Sequence, residues 1–192
     1  MLKLIRQAIL QTLLWTVVAG IAYPVAITVI AQIAFKDQAE GSLLRRDGQL
    51  VGSALIAQQF TGKTYFWPRP SAGTYATVPS GASNLGPTSA ALQTNVNNNL
   101  KALREAHGLA ADAPVPADLV YASGSGVDPE ISPQAARFQV ARVAAARGVA
   151  AAQVSNLVER FVQSPQWGIF GQARVNVLRL NLALDRELPA KP

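Results

Sequence analysis

The chain has 192 residues, 49% of them hydrophobic and 15% charged, with 17 Lys and Arg side chains against 11 Asp and Glu. It has no cysteine and one histidine, His107, which excludes a disulfide scaffold, a cysteine zinc site and a thiol nucleophile. A multi-histidine metal centre and a Ser-His-Asp hydrolase are disfavoured, so we predict no metal ligand and no catalytic residue. The net charge of +6 would suit a polyanion, but the cations form no stripe, and we expect no nucleic acid partner.

The first predicted element is a long apolar helix. Residues 7–35 contain no ionisable side chain except Tyr23. At about 1.5 Å per residue, such a helix exceeds the ~30 Å hydrocarbon core of a bilayer. A signal peptide has a shorter apolar region, and a buried helix of a soluble protein rarely lacks a charged face for so long. We therefore predict a stub over 1–6, a transmembrane helix over 7–35 and a soluble domain over 36–192.

The flanking charges predict the orientation of this helix. Lys3 and Arg6 precede it with no acid between them, whereas the residues after it carry mixed charges. Cations favour the cytoplasmic side, and long C-terminal domains cross the membrane largely regardless of their charge. We expect a cytoplasmic N-terminus and an extracytoplasmic C-terminal domain.

Small residues mark one side of the apolar helix. Ala19, Gly20, Ala22 and Ala26 would let another helix approach closely, and Pro24 should kink the segment. Two interpretations stay open. The helix is either a lone anchor whose threonine hydroxyls bond to its own backbone, or it packs inside a membrane complex through Ala19, Ala22 and Ala26.

The rest of the chain predicts an α+β domain without internal repeats. A run of apolar residues predicts a short strand. Apolar residues at a spacing of about four, together with capping residues, predict three helices. Alternating apolar residues predict a late strand, and this alternation changes phase after Val177. The predicted elements, in chain order, are a strand at 53–57, helices at 89–107, 132–147 and 151–164, and a strand at 174–180.

Two glycine-rich and serine-rich loops interrupt these elements. They span 60–87 and 122–133, and loops of this composition either form tight turns or bind anions through backbone amides. Neither contains a Walker motif or a dinucleotide fingerprint. The first loop also carries the aromatic-basic cluster Tyr65, Phe66, Trp67 and Arg69, which suits either an interface anchor or a core. We expect His107 to be a solvated residue at a helix end.

These loops carry a resemblance to a known family. The chain closely resembles the C subunit of the Kdp potassium-transporting ATPase over almost its whole length. The matching motifs are Tyr23-Pro24, GSALIAQQF from Gly52, YFWPRPSA from Tyr65, SGASNLGPT from Ser80, DLVYASGSGVDPEISPQAA from Asp118, QVARVAAARG from Gln139 and RVNVLRLNLALD from Arg174. Ala82 stands where the family usually has glycine.

The resemblance implies a non-catalytic subunit in the bacterial inner membrane. Its expected partners are an ATP-hydrolysing P-type subunit, a channel-like potassium-translocating subunit and membrane lipid. The phosphorylation signature DKTGT is absent from this chain. The family is described as a catalytic chaperone that raises the pump subunit's affinity for ATP in a transient ternary complex, with no firmly bound cofactor. By that implication the nucleotide candidates are Ser80, Gly81, Ser83 and Asn84, together with Ser123, Gly124, Ser125, Gly126 and Asp128.

The predicted topology and the chaperone role disagree. ATP is cytoplasmic, whereas the charge pattern places both loops outside the cytoplasm. An alternative role for the outer domain is to cover the external entrance of the potassium-translocating subunit. Two further classes are an envelope enzyme with Ser80 or Ser123 as nucleophile and an anchored adapter outside any transporter.

Overall fold

The computed structural model describes residues 1–190, and these divide into two compact units. The first unit is Met1–Leu43, and the second begins at Leu44. The first unit is almost entirely helical, whereas the second combines helices with short strands. The predicted α+β class is therefore confirmed for the second unit.

The first unit contains the apolar helix. It runs through Leu2–Ala34 as α1 (Leu2–Val17), a π-helical turn (Val18–Ala22) and α2 (Tyr23–Ala34), and a short helix α3 (Lys36–Ala39) follows. The span has 33 residues. Its most apolar stretch has a mean hydropathy of 2.1, and none of the residues in that stretch is buried. Its length and composition allow it to cross a membrane.

The helix departs from α geometry immediately before Pro24. Proline has no N–H to donate, and the π-helical turn Val18–Ala22 occupies the residues that precede it. One turn later, the Thr28 hydroxyl donates to the Pro24 carbonyl oxygen at 2.8 Å. Thr28 therefore bonds to its own helix, as the lone-anchor interpretation expects.

In its described part, the second unit contains four helices and two small sheets. A two-stranded sheet joins β1 and β2, and a three-stranded antiparallel sheet has the order β3-β5-β4. A 3₁₀ turn lies at Ala117–Leu119. The elements are β1 (Leu43–Arg46), β2 (Gln49–Ser53), α4 (Ala90–His107), β3 (Glu130–Ile131), α5 (Pro133–Arg147), α6 (Ala151–Phe161), β4 (Val162–Gln163), β5 (Arg174–Asn176) and α7 (Val177–Glu187).

The core lies where α5, α6 and α7 pack around β5. Val175 is the central strand residue and pairs with Ile131 on one side and Val162 on the other. Apolar side chains from these helices meet there and are almost completely removed from water. The core includes Ala135, Val143, Val154, Leu157, Val158, Leu180 and Leu184.

Local capping explains why α4 and α5 begin and end where predicted. Ser89 caps α4 by accepting from Leu92 N–H at 3.4 Å, and Ser132 caps α5 by accepting from Ala135 N–H at 3.0 Å. Gly108 and Gly148 end these helices in the left-handed conformation, with φ of 64° and 66°. The prediction for α6 ran three residues too long, because the chain turns into β4 after Phe161.

Both predicted strands are corrected. The first strand lies at Gln49–Ser53 rather than 53–57, since Ala54 and Leu55 form a turn. The second strand ends at Asn176 rather than at residue 180. The Asn176 side chain caps α7 by accepting a hydrogen bond from Arg179 N–H at 3.0 Å. The phase shift after Val177 therefore marks the change from strand to helix.

Candidate functional site

Residues 63–67 of the second unit have no strand partner in the described part of the chain, and the segment runs from the exposed Lys63 to the half-buried Trp67 through the buried Phe66. Asn181 of α7 accepts from Phe66 N–H at 2.9 Å and donates to Phe66 C=O at 3.0 Å. Gln139 of α5 pairs in the same way with Trp67, at 2.7 Å and 3.1 Å. Two side-chain amides thus take the place of a neighbouring strand, and the buried peptide groups keep their hydrogen bonds.

Two buried arginines of α5 bind the remaining carbonyl oxygens of this segment. Arg142 donates to Lys63 C=O at 2.6 Å and to Tyr65 C=O at 3.0 Å. Its guanidinium also lies 4.3 Å from the centre of the Trp67 ring, a cation–π distance. Burial lowers the pKa of Arg142 to about 10, so the side chain remains a cation at neutral pH.

Arg147 forms the second charged contact and is joined to Asp185 of α7. Its side chain is 1% exposed, and it donates to Asp185 Oδ1 at 2.7 Å and to Thr64 C=O at 2.7 Å. Asp185 Oδ2 accepts from the Tyr65 hydroxyl at 3.0 Å and from Arg46 at 2.8 Å. This carboxylate therefore neutralises a buried cation and fixes one aromatic residue of the cluster.

His107 is not the solvated residue that its position at a helix end suggested. It accepts from Arg142 Nε at 3.1 Å, and its ring lies 4.5 Å from the Phe138 ring and 6.4 Å from the Trp67 ring. Burial, and after it the positive charge of Arg142, lower the His107 pKa to about 4. The imidazole is therefore neutral at pH 7 and acts as an acceptor for Arg142.

The residues of the aromatic-basic cluster differ in burial. Phe66 is 0% exposed and belongs to the core, so its side chain cannot be an exposed anchor. Tyr65 and Trp67 are half-buried, and Arg69 donates to Asp128 at 3.0 Å. The Nε atom of Arg69 is buried and has no acceptor among the described residues. The core interpretation therefore holds for Phe66, and the interface role of the other three stays a prediction.

The two serine-glycine loops meet each other. A Cβ on Gly126, where φ is +73°, would lie 2.7 Å from the Gly81 carbonyl oxygen, so only glycine permits this approach. The second loop is further fixed by Ser123, whose N–H donates to Pro70 C=O at 3.0 Å and whose side chain is buried. The structure thus brings together both sets of residues that the resemblance named as nucleotide candidates.

The two serine-glycine loops differ in how many of their polar groups already form hydrogen bonds or ion pairs. Asp128 is engaged by Arg69 and also accepts from Glu130 N–H at 3.0 Å. In the first loop, the amides of Gly81, Ala82, Ser83 and Asn84 donate to no acceptor within the described chain. Ala82 is not among the described residues with positive φ, so alanine is tolerated there without backbone strain.

A cavity of about 330 Å³ lies beside the first loop. Three asparagines of α4 contribute amides to its wall, and one of them, Asn99, donates to Val120 C=O at 2.8 Å. The cavity is lined by hydroxyl, amide and apolar groups without a charged side chain. Its lining includes Ser71, Ser83, Asn95, Asn98, Asn99 and Tyr121.

The residues that hold Lys63–Trp67 were not identified from sequence as a group. Gln139, Asn181 and Asp185 lie within helical patterns, where a polar side chain is ordinarily solvated. One signal was available for Asn181, because it lies between Leu180 and Leu184 on the apolar side of α7. The residues Ala19, Ala22 and Ala26 lie in the helix of the first unit and are exposed there.

Comparison with known proteins gives a consistent result along the chain. Residues 5–186 match the family described as KdpC, K+-transporting ATPase, c chain. A potassium-transporting ATPase KdpC subunit from Paraburkholderia phytofirmans is 51% identical over 188 residues, covering 96% of this chain and 97% of that protein. The subunit of the same name from Rhodospirillum rubrum is 52% identical over 191 residues, covering 98% of each. This chain therefore belongs to the KdpC family of potassium-transporting ATPase subunits.

Proposed function

We propose that this chain is a non-catalytic subunit that assembles or stabilises an ATP-driven potassium uptake complex in the bacterial inner membrane. One observation carries the proposal: the apolar helix exposes its side chains along its whole length, so it needs lipid or another helix to cover them. The relatives named above are subunits of a potassium-transporting ATPase, which identifies the class of complex.

The helix offers a surface for a partner helix. Thr12, Thr16, Ala19 and Gly20 line a shallow groove together with Gln11 and Trp15. Small and hydroxyl side chains are typical of close helix contacts in membranes. We propose that this side and the neighbouring Ala22 and Ala26 contact the large subunits of the complex.

The second unit offers an apolar surface as well. The turn between β4 and β5 exposes Trp167 by 81%, Ile169 by 78% and Phe170 by 58%. Exposed aromatic clusters mark interaction sites more often than isolated apolar residues do. We propose that this turn contacts the potassium-translocating subunit near its external entrance.

The orientation proposed for the chain places this unit outside the cytoplasm. Lys3 and Arg6 would remain inside, residues 7–35 would cross the membrane, and residues 36–192 would lie on the outer side. In this topology the chain has its assembly role on the outer face, where no ATP is present.

A second candidate function is the chaperone role, in which a serine-glycine loop contacts ATP. The unused amides of Gly81–Asn84 favour this role, since backbone amides in loops bind phosphate. The uncharged lining of the adjacent cavity and the engaged groups of Ser123 and Asp128 favour the assembly role instead.

Cysteine labelling distinguishes the two candidates. The chain has no cysteine, so Ser83→Cys introduces a single reactive thiol at an exposed position. We expect a membrane-impermeant maleimide to label this variant in intact cells. Lys3→Cys is the control and should be labelled only after lysis. Labelling of Lys3→Cys alone in intact cells would reverse the topology and support contact with cytoplasmic ATP.

Co-purification tests membership in the complex. After detergent extraction, the chain should remain with the ATP-hydrolysing and potassium-translocating subunits. Migration of the chain alone, with both large subunits intact in the same extract, would contradict the proposal.

A further inference from the structure

Arginines line a cavity of the second unit between β1 and α7. This cavity has a volume of about 700 Å³, which lies within the range of small-molecule sites. Strand β1 and the turn after it form one wall, and α7 forms the other. The cations in its lining are Arg45, Arg46, Arg179 and Arg186, and the acids are Asp47 and Asp185.

The two acids do not neutralise these four cations. Asp185 is shared between Arg46 and the buried Arg147, which lies outside the lining. Among the described residues, Arg186 forms an ion pair only with Glu187, at 3.5 Å. Arg45 and Arg179 form no ion pair with any described carboxylate, although both are exposed in the cavity wall. The cavity therefore carries an excess of positive charge.

The remaining lining is apolar. Leu44, Phe161, Leu182 and Ala183 lie between the arginines and provide a surface that water solvates poorly. An anion with an attached apolar or aromatic part would contact both kinds of surface. Arginine guanidinium groups match the oxygens of a phosphate in pairs, so phosphate is the anion that these residues suit best.

The short connection between α2 and β1 makes membrane lipid one source of such a ligand. Residues 35–43 are all that separate the end of α2 from Leu44. A phospholipid head group is therefore as accessible a source of phosphate as a soluble phosphate compound.

We propose that this cavity binds a phosphate group, with Arg45 and Arg179 as its principal ligands. Arg46 is a lesser ligand because Asp185 already holds it. The apolar lining accommodates the part of the molecule to which the phosphate is attached. This site is separate from the two serine-glycine loops and independent of the proposed assembly role.

Binding to the full-length chain in detergent micelles tests the site. The first measurement is the unfolding temperature of the second unit in sodium phosphate against sodium chloride of equal ionic strength. The second is retention of dioleoylphosphatidylglycerol against dioleoylphosphatidylcholine, counted by native mass spectrometry. The test variant is Arg45→Gln with Arg179→Gln, and the control is Lys101→Gln with Arg137→Gln. The control also removes two exposed cations, but neither of them lines the cavity.

We expect the test variant to bind at least about tenfold more weakly, since each charge-assisted contact contributes roughly tenfold or more. Phosphate binding with no preference between the lipids would identify a soluble phosphate compound, and retention of phosphatidylglycerol alone would identify a lipid head group. Either result supports the site if the control variant binds normally. Equal binding by the two variants, or no binding of either probe to the unmodified chain, would overturn the proposal.

Discussion

The Asn181 side chain forms hydrogen bonds with both the backbone N–H and the backbone C=O of Phe66, although 115 residues separate the two in the chain. The side-chain oxygen accepts from Phe66 N–H, and the side-chain nitrogen donates to Phe66 C=O. Both residues are buried. Water cannot replace these hydrogen bonds, so the Phe66 backbone depends on this one amide.

Replacing Asn181 by leucine should destabilise the second unit by about 2–4 kcal/mol, because two buried peptide groups lose their partners. The free energy of unfolding in urea, followed by near-ultraviolet circular dichroism, measures the effect. Asn97→Leu is the matched control, because the Asn97 side chain is exposed and its one hydrogen bond within the described chain is accepted from Gln93. Equal stability of the two variants would contradict the role assigned to Asn181.

His107 should make the stability of the second unit depend on pH. Its pKa is about 4 in the folded chain and about 6.5 when unfolded, so the unfolded state binds the extra proton between these values. Stability should therefore fall as the pH falls from 7 to 5, by about 1–2 kcal/mol after allowance for partial exposure. His107→Gln retains an acceptor for Arg142 and should lose this part of the pH dependence. Urea unfolding of both chains at the two pH values provides the test, and parallel losses would contradict it.

Gly126→Ala should disrupt the contact between the two serine-glycine loops. The new Cβ would lie 2.7 Å from the Gly81 carbonyl oxygen, and the positive φ adds strain of about 1–2 kcal/mol. We expect a lower unfolding temperature and faster proteolysis within 72–88. Gly124→Ala is the control, since its Cβ would meet no atom within 4 Å and its φ is not positive. If the control loses as much stability as Gly126→Ala, steric contact is not the cause.

Ala22→Leu and Ala26→Leu should weaken assembly of the complex, because larger side chains prevent close approach of a partner helix. The yield of co-purified large subunits is the measurement. Ala31→Leu carries the same change on roughly the opposite side of α2, nine residues from Ala22, and should assemble normally. Unchanged yield in both test variants would refute this packing surface.

Trp167→Ser combined with Phe170→Ser should also reduce co-purification of the large subunits, without loss of stability in the isolated chain. Both side chains are exposed, and their rings form a T-shaped pair with centroids 5.8 Å apart. Val78→Ser is the control, since Val78 is apolar and 89% exposed but lies outside the turn between β4 and β5. A variant complex that forms in full yield would show that the turn has no role in assembly.

Helix ends were predictable because their determinants are local. Ser89, Ser132, Gly108 and Gly148 act on backbone groups within a few residues of themselves, so the sequence displays cap and helix together. The start of α7 was missed although its signal is equally local. The predicted strand included residues 177–180, which belong to α7, because the alternation that precedes them was extended too far.

The environment of His107 was not predictable from its neighbours in sequence. At a helix C-terminus a cationic histidine is favoured, and that argument uses only α4. The decisive contacts come from Trp67, Phe138 and Arg142, which belong to other parts of the fold. Tertiary packing thus reverses the expected charge state.

The same reasoning applies to the candidate site. Each loop was recognised from its own composition, but their contact through Gly81 and Gly126 joins residues 45 positions apart. The amide and guanidinium contacts of Gln139, Arg142 and Arg147 with residues 63–67 span separations of 72 to 83 residues. A pattern read along the chain contains no information about such pairings.

The support of residues 63–67 by side chains also leads us to expect that this segment takes its native structure late in folding. A strand can pair as soon as its neighbour exists, but this segment gains its partners only when α5 and α7 are already packed together. We expect its contacts to form after the transition state, so removing the Asn181 amide should accelerate unfolding and leave the folding rate nearly unchanged.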